Sequence, residues 1–213
     1  MKRERVTVIH NSMDLEELKP HIQGKPCPHA AGEAGGLRPK RLIAVANFGK
    51  YKGHRILLQA LAKLPGEPAV ECWLIGDGPE RGEMERLARA LGLSDRVRFL
   101  GYRQDVPALL RQCDVFVLPS LWEPFGIALV EAMVLGMPVL ACRSGGVPEV
   151  VRDGETGLLV PPGDADAMAA GLQRLLSDEA LGAKLAAKAV PEAAARFDAR
   201  SMAERYQKFY EAI

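Results

Sequence analysis

The 213-residue sequence lacks an excess of charge of either sign. Its 28 Lys and Arg residues nearly balance its 27 Asp and Glu residues, which leaves a formal net charge of +1 at pH 7. Proteins that track a nucleic-acid backbone normally carry a basic excess gathered on one face. The charge balance therefore argues against nucleic acid as the main partner.

The sequence also lacks an apolar run of the roughly 20 residues that a membrane-spanning helix needs. Met1 leads directly into KRERVTVIH, so we expect no secretory signal peptide. The four cysteines and four histidines show no metal-ligand spacing. Cys72, Cys113 and Cys142 lie in apolar runs, where a thiol behaves as a small hydrophobe. We therefore expect a reduced, cytoplasmic protein without a metal site.

The chain does contain a repeated alternation of strand and helix patterns. Strands are predicted at residues 41–46, 70–75, 97–100, 114–119, 138–142 and 157–160, and helices at 53–64, 79–91, 106–112, 126–135, 147–151, 164–176, 179–196 and 199–212. This order predicts an α/β fold of the Rossmann-like, doubly wound type, with helices on both faces of a parallel sheet. Ligands of such sheets bind at the carboxyl ends of the strands.

The first 40 residues follow a different pattern. Val6 to Ile9 form a short strand-like run, whereas residues 20–40 contain many Pro and Gly residues and no apolar period, which predicts a linker. We therefore predict that residues 1–40 are a junction segment and that residues 41–213 form one domain.

The stretch from Pro119 to Pro138, PSLWEPFGIALVEAMVLGMP, combines a strand end, a polar turn and an apolar helix. It follows a run with the pattern of a buried strand, so Glu123 falls in the loop at the carboxyl end of that strand. Glu131 falls inside the helix, and the Gly-x-Pro sequence behind it predicts the end of the helix.

The N-terminus of this helix has the features of an anion site. If the helix begins near Gly126, the N–H groups of Phe125, Gly126 and Ile127 lack acceptors within it, and the helix dipole favours a phosphate. Glu131 lies about 7 to 8 Å further along the axis, where it could accept hydrogen bonds from sugar hydroxyls. One carboxylate on each side of a phosphate-binding turn predicts a nucleotide sugar.

The run from Glu123 to Glu131, with FG between them and GMPVLACRSGGVPEVV behind, resembles the E-x7-E region of retaining nucleotide-sugar glycosyltransferases. These enzymes have the two-domain GT-B fold and include the glycosyl transferases of group 1. The resemblance implies that Glu131 binds ribose hydroxyls and that the amides of Phe125 to Ile127 contact the sugar and diphosphate. It also implies that Glu123 is the catalytic residue beside the reacting carbon of the transferred sugar, and that helix dipoles and basic side chains replace a divalent ion.

The turn after the first of these strands reads NFGKYKGH, residues 47–54. In the family that it resembles, this turn has a Gly-Arg pair near its start and a Lys-Gly pair at its end, and both cations hold the diphosphate. Lys52 and Gly53 match the second pair, but Asn47 stands at the arginine position. An amide lacks the charge and the fork of a guanidinium. Either Lys50 or another basic residue compensates, or the diphosphate is held by less charge.

Two further turns carry residues that the resemblance assigns to the nucleoside. Gly76 opens the sequence GDG after a strand, where the backbone comes close to the nucleoside, and Tyr102 follows the next strand, where relatives contact the base. The GDG sequence lacks the full glycine pattern of a dinucleotide fingerprint, which disfavours a nicotinamide-dependent dehydrogenase.

These observations predict the donor-binding domain of a retaining hexosyltransferase. It would take a UDP-, GDP- or ADP-sugar without a further cofactor and serve polysaccharide, glycolipid or glycoconjugate synthesis. A missing N-terminal domain would carry the acceptor site and any peripheral membrane contact, so the chain alone should be inactive. Two alternatives stay open: a degenerate, non-catalytic nucleotide-sugar-binding module, which Asn47 favours, and an epimerase or phosphorylase of the same fold.

Overall fold

A six-stranded parallel sheet forms the centre of the protein. The computed structural model describes residues 7–18, 20, 39–66 and 69–211. The strands are β1 (Lys40–Val45), β2 (Val70–Ile75), β3 (Val97–Gly101), β4 (Val115–Leu118), β5 (Val139–Cys142) and β6 (Leu158–Val160), in the order β3-β2-β1-β4-β5-β6. Because both faces of the sheet are covered, every residue of β2 and of β4 is buried.

Eight α-helices connect or follow the strands in the described part of the chain. They are α1 (His54–Lys63), α2 (Arg81–Ala90), α3 (Val106–Leu110), α4 (Ile127–Val134), α5 (Val147–Val150), α6 (Ala165–Ser177), α7 (Glu179–Phe197) and α8 (Ala199–Glu211). Two short 3-10 helices cover Leu15–Leu18 and Lys50–Lys52. No helix among these residues is both long enough and apolar enough to cross a membrane.

The helices cover both faces of the sheet and form two hydrophobic cores. Successive residues of a strand point to opposite faces. Ile43 of β1 accordingly joins the core that includes α4 and the second half of α7, whereas Leu42 and Ala44 join the core that includes α1 and α6. This arrangement confirms the predicted doubly wound fold.

The strand order reverses beside β1. The chain builds β1, β2 and β3 outward in one direction, and then α3 returns it to the other side of β1, where β4, β5 and β6 follow. The loops after β1 and β4 therefore turn to opposite sides and leave a crevice at the carboxyl end of the sheet. The Pro119 to Pro138 stretch begins at the edge of this crevice.

Most predicted elements agree with the structure to within two residues at each end. The helix α3, predicted to end at Gln112, ends two residues earlier at Leu110, because the N–H of Cys113 already bonds the Leu110 carbonyl at 3.0 Å in the turn into β4. The linker predicted at residues 20–40 falls almost entirely outside the described residues, and its last residue, Lys40, begins β1.

The strand predicted at Val6 to Ile9 is wrong for the residues of this run that the structure describes, since 7–9 carry no strand. The segment that they begin packs instead on the junction between α7 and α8. The Met13 N–H donates to the Phe197 carbonyl at 3.0 Å, and the Ala199 N–H donates to the Met13 carbonyl at 2.9 Å. The backbone of this segment finds its partners at a helix junction rather than at the edge of a sheet.

Candidate functional site

Two neighbouring cavities open at the carboxyl end of the sheet. The larger has a volume of about 1010 Å³ and the smaller a volume of about 300 Å³. Residues after β1 and at the start of α4 line both of them, namely Val45, Ala46, Asn47, Ile127 and Ala128. A ligand that filled both cavities would therefore pass across the N-terminus of α4.

The larger cavity lies over the ends of β1, β2 and β3. Three residues that the sequence assigns to a nucleotide line it: Gly76 after β2, Tyr102 after β3, and Glu131 on α4. The Tyr102 side chain is 77% exposed, so its ring is accessible to a ligand. The loops after three strands and one helix thus bring together residues that lie up to 55 positions apart in the sequence.

Gly76 is required where the loops after β1 and β2 meet. A Cβ at this position would lie 2.0 Å from the Ala46 carbonyl oxygen, and the backbone has a positive φ of 130°. Only glycine combines that contact with that conformation. The close packing of the two loops shapes the wall of the larger cavity.

The smaller cavity contains an ion pair between Lys52 and Glu123. The Lys52 Nζ lies 2.7 Å from Glu123 Oε2, and the two side chains are 25% and 9% exposed. Ser120 Oγ donates a second hydrogen bond to the same carboxylate oxygen at 3.2 Å. The loops after β1 and β4 are therefore joined by a charge-assisted contact at the point where the transferred sugar is expected.

The N-terminus of α4 faces the smaller cavity. Gly126 precedes the helix in the left-handed conformation, with a φ of 90°, and lines the cavity together with Phe125 and Ile127. Between described residues, no hydrogen bond has the N–H of any of these three as its donor. Three amide groups and the positive end of the helix dipole are thus available to an anion, as the sequence predicts.

Asn47 lines both cavities, but Lys50 lines neither. Lys50 belongs to a separate cavity of about 250 Å³ that also includes His54, Arg55 and Glu80. Asn47 stands at the position where the family has arginine, and Lys50 therefore adds no positive charge beside it in either cavity. The structure gives no support to Lys50 as the compensating cation.

Acidic side chains outnumber basic ones around the two cavities. Among the described residues, the charged groups that line them are Lys52, Arg103, Asp77, Asp105, Glu123 and Glu131. Arg103 donates two hydrogen bonds to Asp105, at 2.8 and 2.7 Å, and these hold the pKa of the Asp105 carboxyl below its usual range. Arg103 lines the larger cavity, so among the described residues Lys52 is the one basic side chain that lines the smaller cavity.

His54 lies directly after Gly53, at the first position of α1, and is 3% exposed. Its ring stacks on Phe48 with 4.1 Å between the ring centroids. Burial, together with the positive charge of Lys52, lowers the pKa of His54 to about 4. The imidazole is thus neutral at pH 7 and belongs to the core that supports the Lys52 turn.

Three residues of the N-terminal segment, none of them predicted from the sequence to belong to the site, also line the cavities. Asn11 lines the smaller cavity, and Met13 and Leu18 line the larger one. They reach the site because their segment packs on the α7–α8 junction. The sequence carries no local signal for such a contact, since the partners are more than 180 residues apart.

The described residues contain no group of three or more His, Cys, Asp or Glu side chains arranged to hold a metal ion. The thiols of Cys72 and Cys142 are buried, and burial raises their pKa to about 12 and about 11. These two cysteines therefore pack as small hydrophobic residues, as the sequence predicts.

Comparison with known proteins identifies the family. Residues 33–195, which include both carboxylates, the Lys52 turn and the α4 N-terminus, match the family described as Glycosyl transferases group 1. The chain belongs to this family. The resemblance predicted from the E-x7-E pattern is thereby confirmed.

Curated relatives carry the names of different glycosyltransferases. The chain is 37% identical over 165 residues to the lipopolysaccharide core biosynthesis glycosyltransferase LpsE of Rhizobium meliloti, covering 78% of this chain and 48% of the relative. It is 36% identical over 205 residues to the D-inositol 3-phosphate glycosyltransferase of Mycobacterium marinum, covering 91% of this chain and 42% of the relative. The chain thus spans about half the length of the curated relatives that it matches.

Solved structures of the same fold include a protein with bound nucleotide. The chain superimposes on Anabaena HepE in complex with UDP and glucose with a TM-score of 0.85 and 30% identity, covering all of this chain and 58% of HepE. HepE has also been solved with UDP-glucose. The GT-B glycosyltransferase assignment of the fold follows from this likeness.

Proposed function

We propose that this chain is the donor-binding domain of a retaining glycosyltransferase and that it binds a nucleoside-diphosphate sugar across the two cavities. The observation that carries the proposal is their shared wall, which contains the N-terminus of α4 and has Glu131 on one side and Glu123 on the other. The nucleoside would occupy the larger cavity, with Tyr102 and Gly76 near the base and Glu131 on the ribose hydroxyls. The sugar would occupy the smaller cavity.

The diphosphate would lie between the two cavities. Asn47 and Ile127 line both cavities, and Lys52, Phe125 and Gly126 line the smaller one beside them. The ammonium group supplies charge, and the amides supply hydrogen bonds that are already oriented before the ligand arrives. With Asn47 in place of an arginine, most of the side-chain charge on the diphosphate comes from Lys52.

In the reaction, the bond between the anomeric carbon and the diphosphate oxygen breaks, and its electrons leave with the diphosphate. Lys52 and the α4 amides stabilise this growing negative charge in a partly buried site. Glu123 orients the sugar and stabilises the positive character of the anomeric carbon. The acceptor oxygen then bonds to that carbon with the configuration retained, and its proton passes to an oxygen of the departing diphosphate.

The remaining parts of the proposal rest on the family. UDP-sugars are the first donors to test, since HepE was solved with UDP and with UDP-glucose. We propose that residues 41–213 form the donor domain, with residues 1–40 as a junction to an acceptor domain. We also propose that transfer needs no metal ion and takes place in the cytoplasm. We propose that the acceptor is an intermediate of glycan synthesis, because the relative LpsE is named for lipopolysaccharide core biosynthesis.

Calorimetric titration with UDP, GDP, ADP and UDP-glucose tests the proposal. We expect at least one nucleotide to bind, and we expect Lys52→Ala and Glu131→Ala each to weaken binding about tenfold or more, because a hydrogen bond to a charged group contributes about 1.5 to 3 kcal/mol. Lys50→Ala is the matched control, since Lys50 belongs to the same 3-10 helix but lines a different cavity, and it should change affinity less than about twofold. Equal affinities in all variants would show that Lys52 and Glu131 do not bind the nucleotide, and would refute the proposed site.

A non-catalytic module is the second candidate, favoured by Asn47 and by the acidic surroundings of the cavities. Such a module would have lost tight donor binding while keeping the fold. A thermal-shift measurement separates the two functions. If none of UDP, GDP and ADP raises the melting temperature of the chain at millimolar concentration, the module is the better assignment.

A further inference from the structure

The loop that carries Glu123 is tied to the turn that follows β5. Ser144 Oγ donates to the Ser120 carbonyl oxygen at 2.9 Å, and the Gly146 N–H donates to the Glu123 carbonyl oxygen at 2.9 Å. These two bonds hold the backbone at the first and last residues of the four-residue segment from Ser120 to Glu123. The turn at residues 144–146 therefore fixes the backbone from which the Glu123 side chain projects.

The side chain of Glu123 is fixed as well, through one of its two oxygens. Ser120 Oγ and Lys52 Nζ both donate to Oε2, at 3.2 and 2.7 Å. No hydrogen bond from a described residue reaches Oε1. Two donors satisfy one carboxylate oxygen, so Oε1 keeps its full capacity to accept hydrogen bonds from a ligand.

The turn comes so close to this loop that it requires glycine. A Cβ at Gly145 would lie 2.1 Å from the Glu123 carbonyl oxygen, and Gly145 has a φ of 52°. A Cβ at Gly146 would lie 2.2 Å from the Pro124 carbonyl oxygen. The backbone of residues 144–146 therefore packs directly on the backbone of the loop that carries Glu123, and we call this contact the brace.

Ser120 and Ser144 are both buried, with 0% and 7% of their surface exposed. A buried hydroxyl needs a partner. Ser144 donates to a backbone carbonyl, which is the usual structural choice. Ser120 instead directs its only proton to the carboxylate assigned to catalysis.

We propose that Ser120 and Ser144 are positioning residues, which hold Glu123 so that Oε1 faces the transferred sugar. This inference rests on the proposed function. Ser120 acts on the carboxylate directly and Ser144 acts through the backbone of the loop. Neither serine lines the region assigned to the nucleotide, so their loss should weaken the hold on the sugar without weakening the hold on the nucleotide.

Parallel titrations of the chain with UDP and with UDP-glucose test this inference; the corresponding GDP or ADP pair replaces them if that nucleotide is the one that binds the parent chain. In Ser120→Ala and in Ser144→Ala, the affinity for the nucleotide sugar should fall about fivefold or more, since each variant loses one hydrogen bond that orients the charged Glu123. The affinity for the nucleotide should stay within about twofold of the parent value. Ser177→Ala, which removes a serine hydroxyl at the end of α6, is the matched control and should change neither.

Melting temperatures of the same proteins show whether each variant is folded. Unchanged affinity for the nucleotide sugar in both variants would overturn the inference. A parallel loss for nucleotide and nucleotide sugar would also overturn it, because that pattern indicates a general loosening of the site. If the parent chain binds no nucleotide at all, the proposed function fails first and this inference falls with it.

Discussion

At the scale of single residues, His54 couples the stability of the Lys52 turn to pH. Its Nε2 is buried and has no hydrogen-bond partner in the described structure, and its pKa is lowered to about 4 by burial and by Lys52. In the unfolded chain the same ring would titrate near its ordinary value of about 6.5. The unfolded state therefore binds more protons than the folded state between these two pH values.

We expect the free energy of unfolding to fall as the pH is lowered from about 6.5 to about 4, by up to about 3 kcal/mol from this residue. The contribution is fully present above pH 6.5 and is lost below it, because the proton binds more tightly to the unfolded chain. Urea unfolding at several pH values would measure the effect.

The variant His54→Phe serves as the control for this pH dependence. Phenylalanine keeps an aromatic ring against Phe48 but cannot be protonated. The difference in stability between the two proteins should shift in favour of the variant as the pH falls from 6.5 to 4. A constant difference across that range would contradict the assignment.

At the same scale, the structure separates two lysines that the sequence offered for the diphosphate: Lys52, which matches the family's Lys-Gly pair, and Lys50, a possible compensating cation for Asn47. Lys50 and Lys52 are two positions apart in one polar turn after a strand, and either could have held a phosphate. In the 3-10 helix that they form, only Lys52 reaches Glu123, whereas Lys50 lines a cavity beside α1 and α2. The direction of a side chain in a short helix depends on how that helix packs, which a local sequence pattern does not record.

At the scale of elements, Gly53 joins the Lys52 turn to α1. It ends the 3-10 helix and begins α1 in the left-handed conformation, with a φ of 68°. A Cβ here would lie 1.9 Å from the carbonyl oxygen of Pro119, at the end of β4. The loop after β1 and the loop after β4 thus meet backbone to backbone, and glycine is the only residue that permits this approach.

We expect Gly53→Ala to destabilise the fold by more than about 2 kcal/mol, because it adds left-handed strain to a direct overlap with backbone. Lys52 should move with the loop, so nucleotide affinity should fall too. Chemical denaturation and calorimetry would measure the two effects.

Gly82→Ala is the matched control for this substitution. Gly82 lies in α2, and apart from its chain neighbours and the backbone of its own helix, a Cβ there would have no heavy atom within 4 Å. Alanine should therefore stabilise α2 by about 0.5 kcal/mol and leave nucleotide affinity unchanged. If the two alanine variants were equally stable, the close contact at Gly53 would be refuted.

The start of α4 is an element that sequence reasoning located correctly. A buried strand, a polar turn and a helical apolar period follow one another within the Pro119 to Pro138 stretch, and each of these patterns is local. The helix begins at Ile127, with Gly126 before it, as the sequence predicts. The brace from residues 144–146 was not predicted as such, because it depends on β4 and β5 lying side by side.

At the scale of the whole molecule, the chain matches only part of its relatives. It spans 48% of LpsE and 58% of HepE. A glycosyl transfer needs an acceptor held against the donor sugar, and positioning of this kind accounts for a large share of enzymatic rate enhancement. Under the proposed function, the described residues would hold the donor, and an acceptor domain would hold the acceptor.

We therefore expect the 213-residue chain to bind a nucleotide sugar without transferring the sugar. Release of UDP from UDP-glucose in the presence of candidate acceptors should not exceed the rate measured with the Lys52→Ala variant, which serves as the blank. A coupled assay for free UDP would detect turnover. Transfer at even one event per second, within the usual range for enzymes of about 1 to 1000 per second, would contradict the division into donor and acceptor domains.

The sequence by itself determined the elements of this protein, their order and the E-x7-E stretch, because periodicity, helix ends and motif spacing are written in neighbouring residues. Only the tertiary structure decided which cavity each residue lines, that Asn11, Met13 and Leu18 join the site, and that Ser144 reaches the loop of Glu123. Those contacts join residues that are far apart along the chain, and they form only when packing of the sheet and helices brings separate loops to one edge.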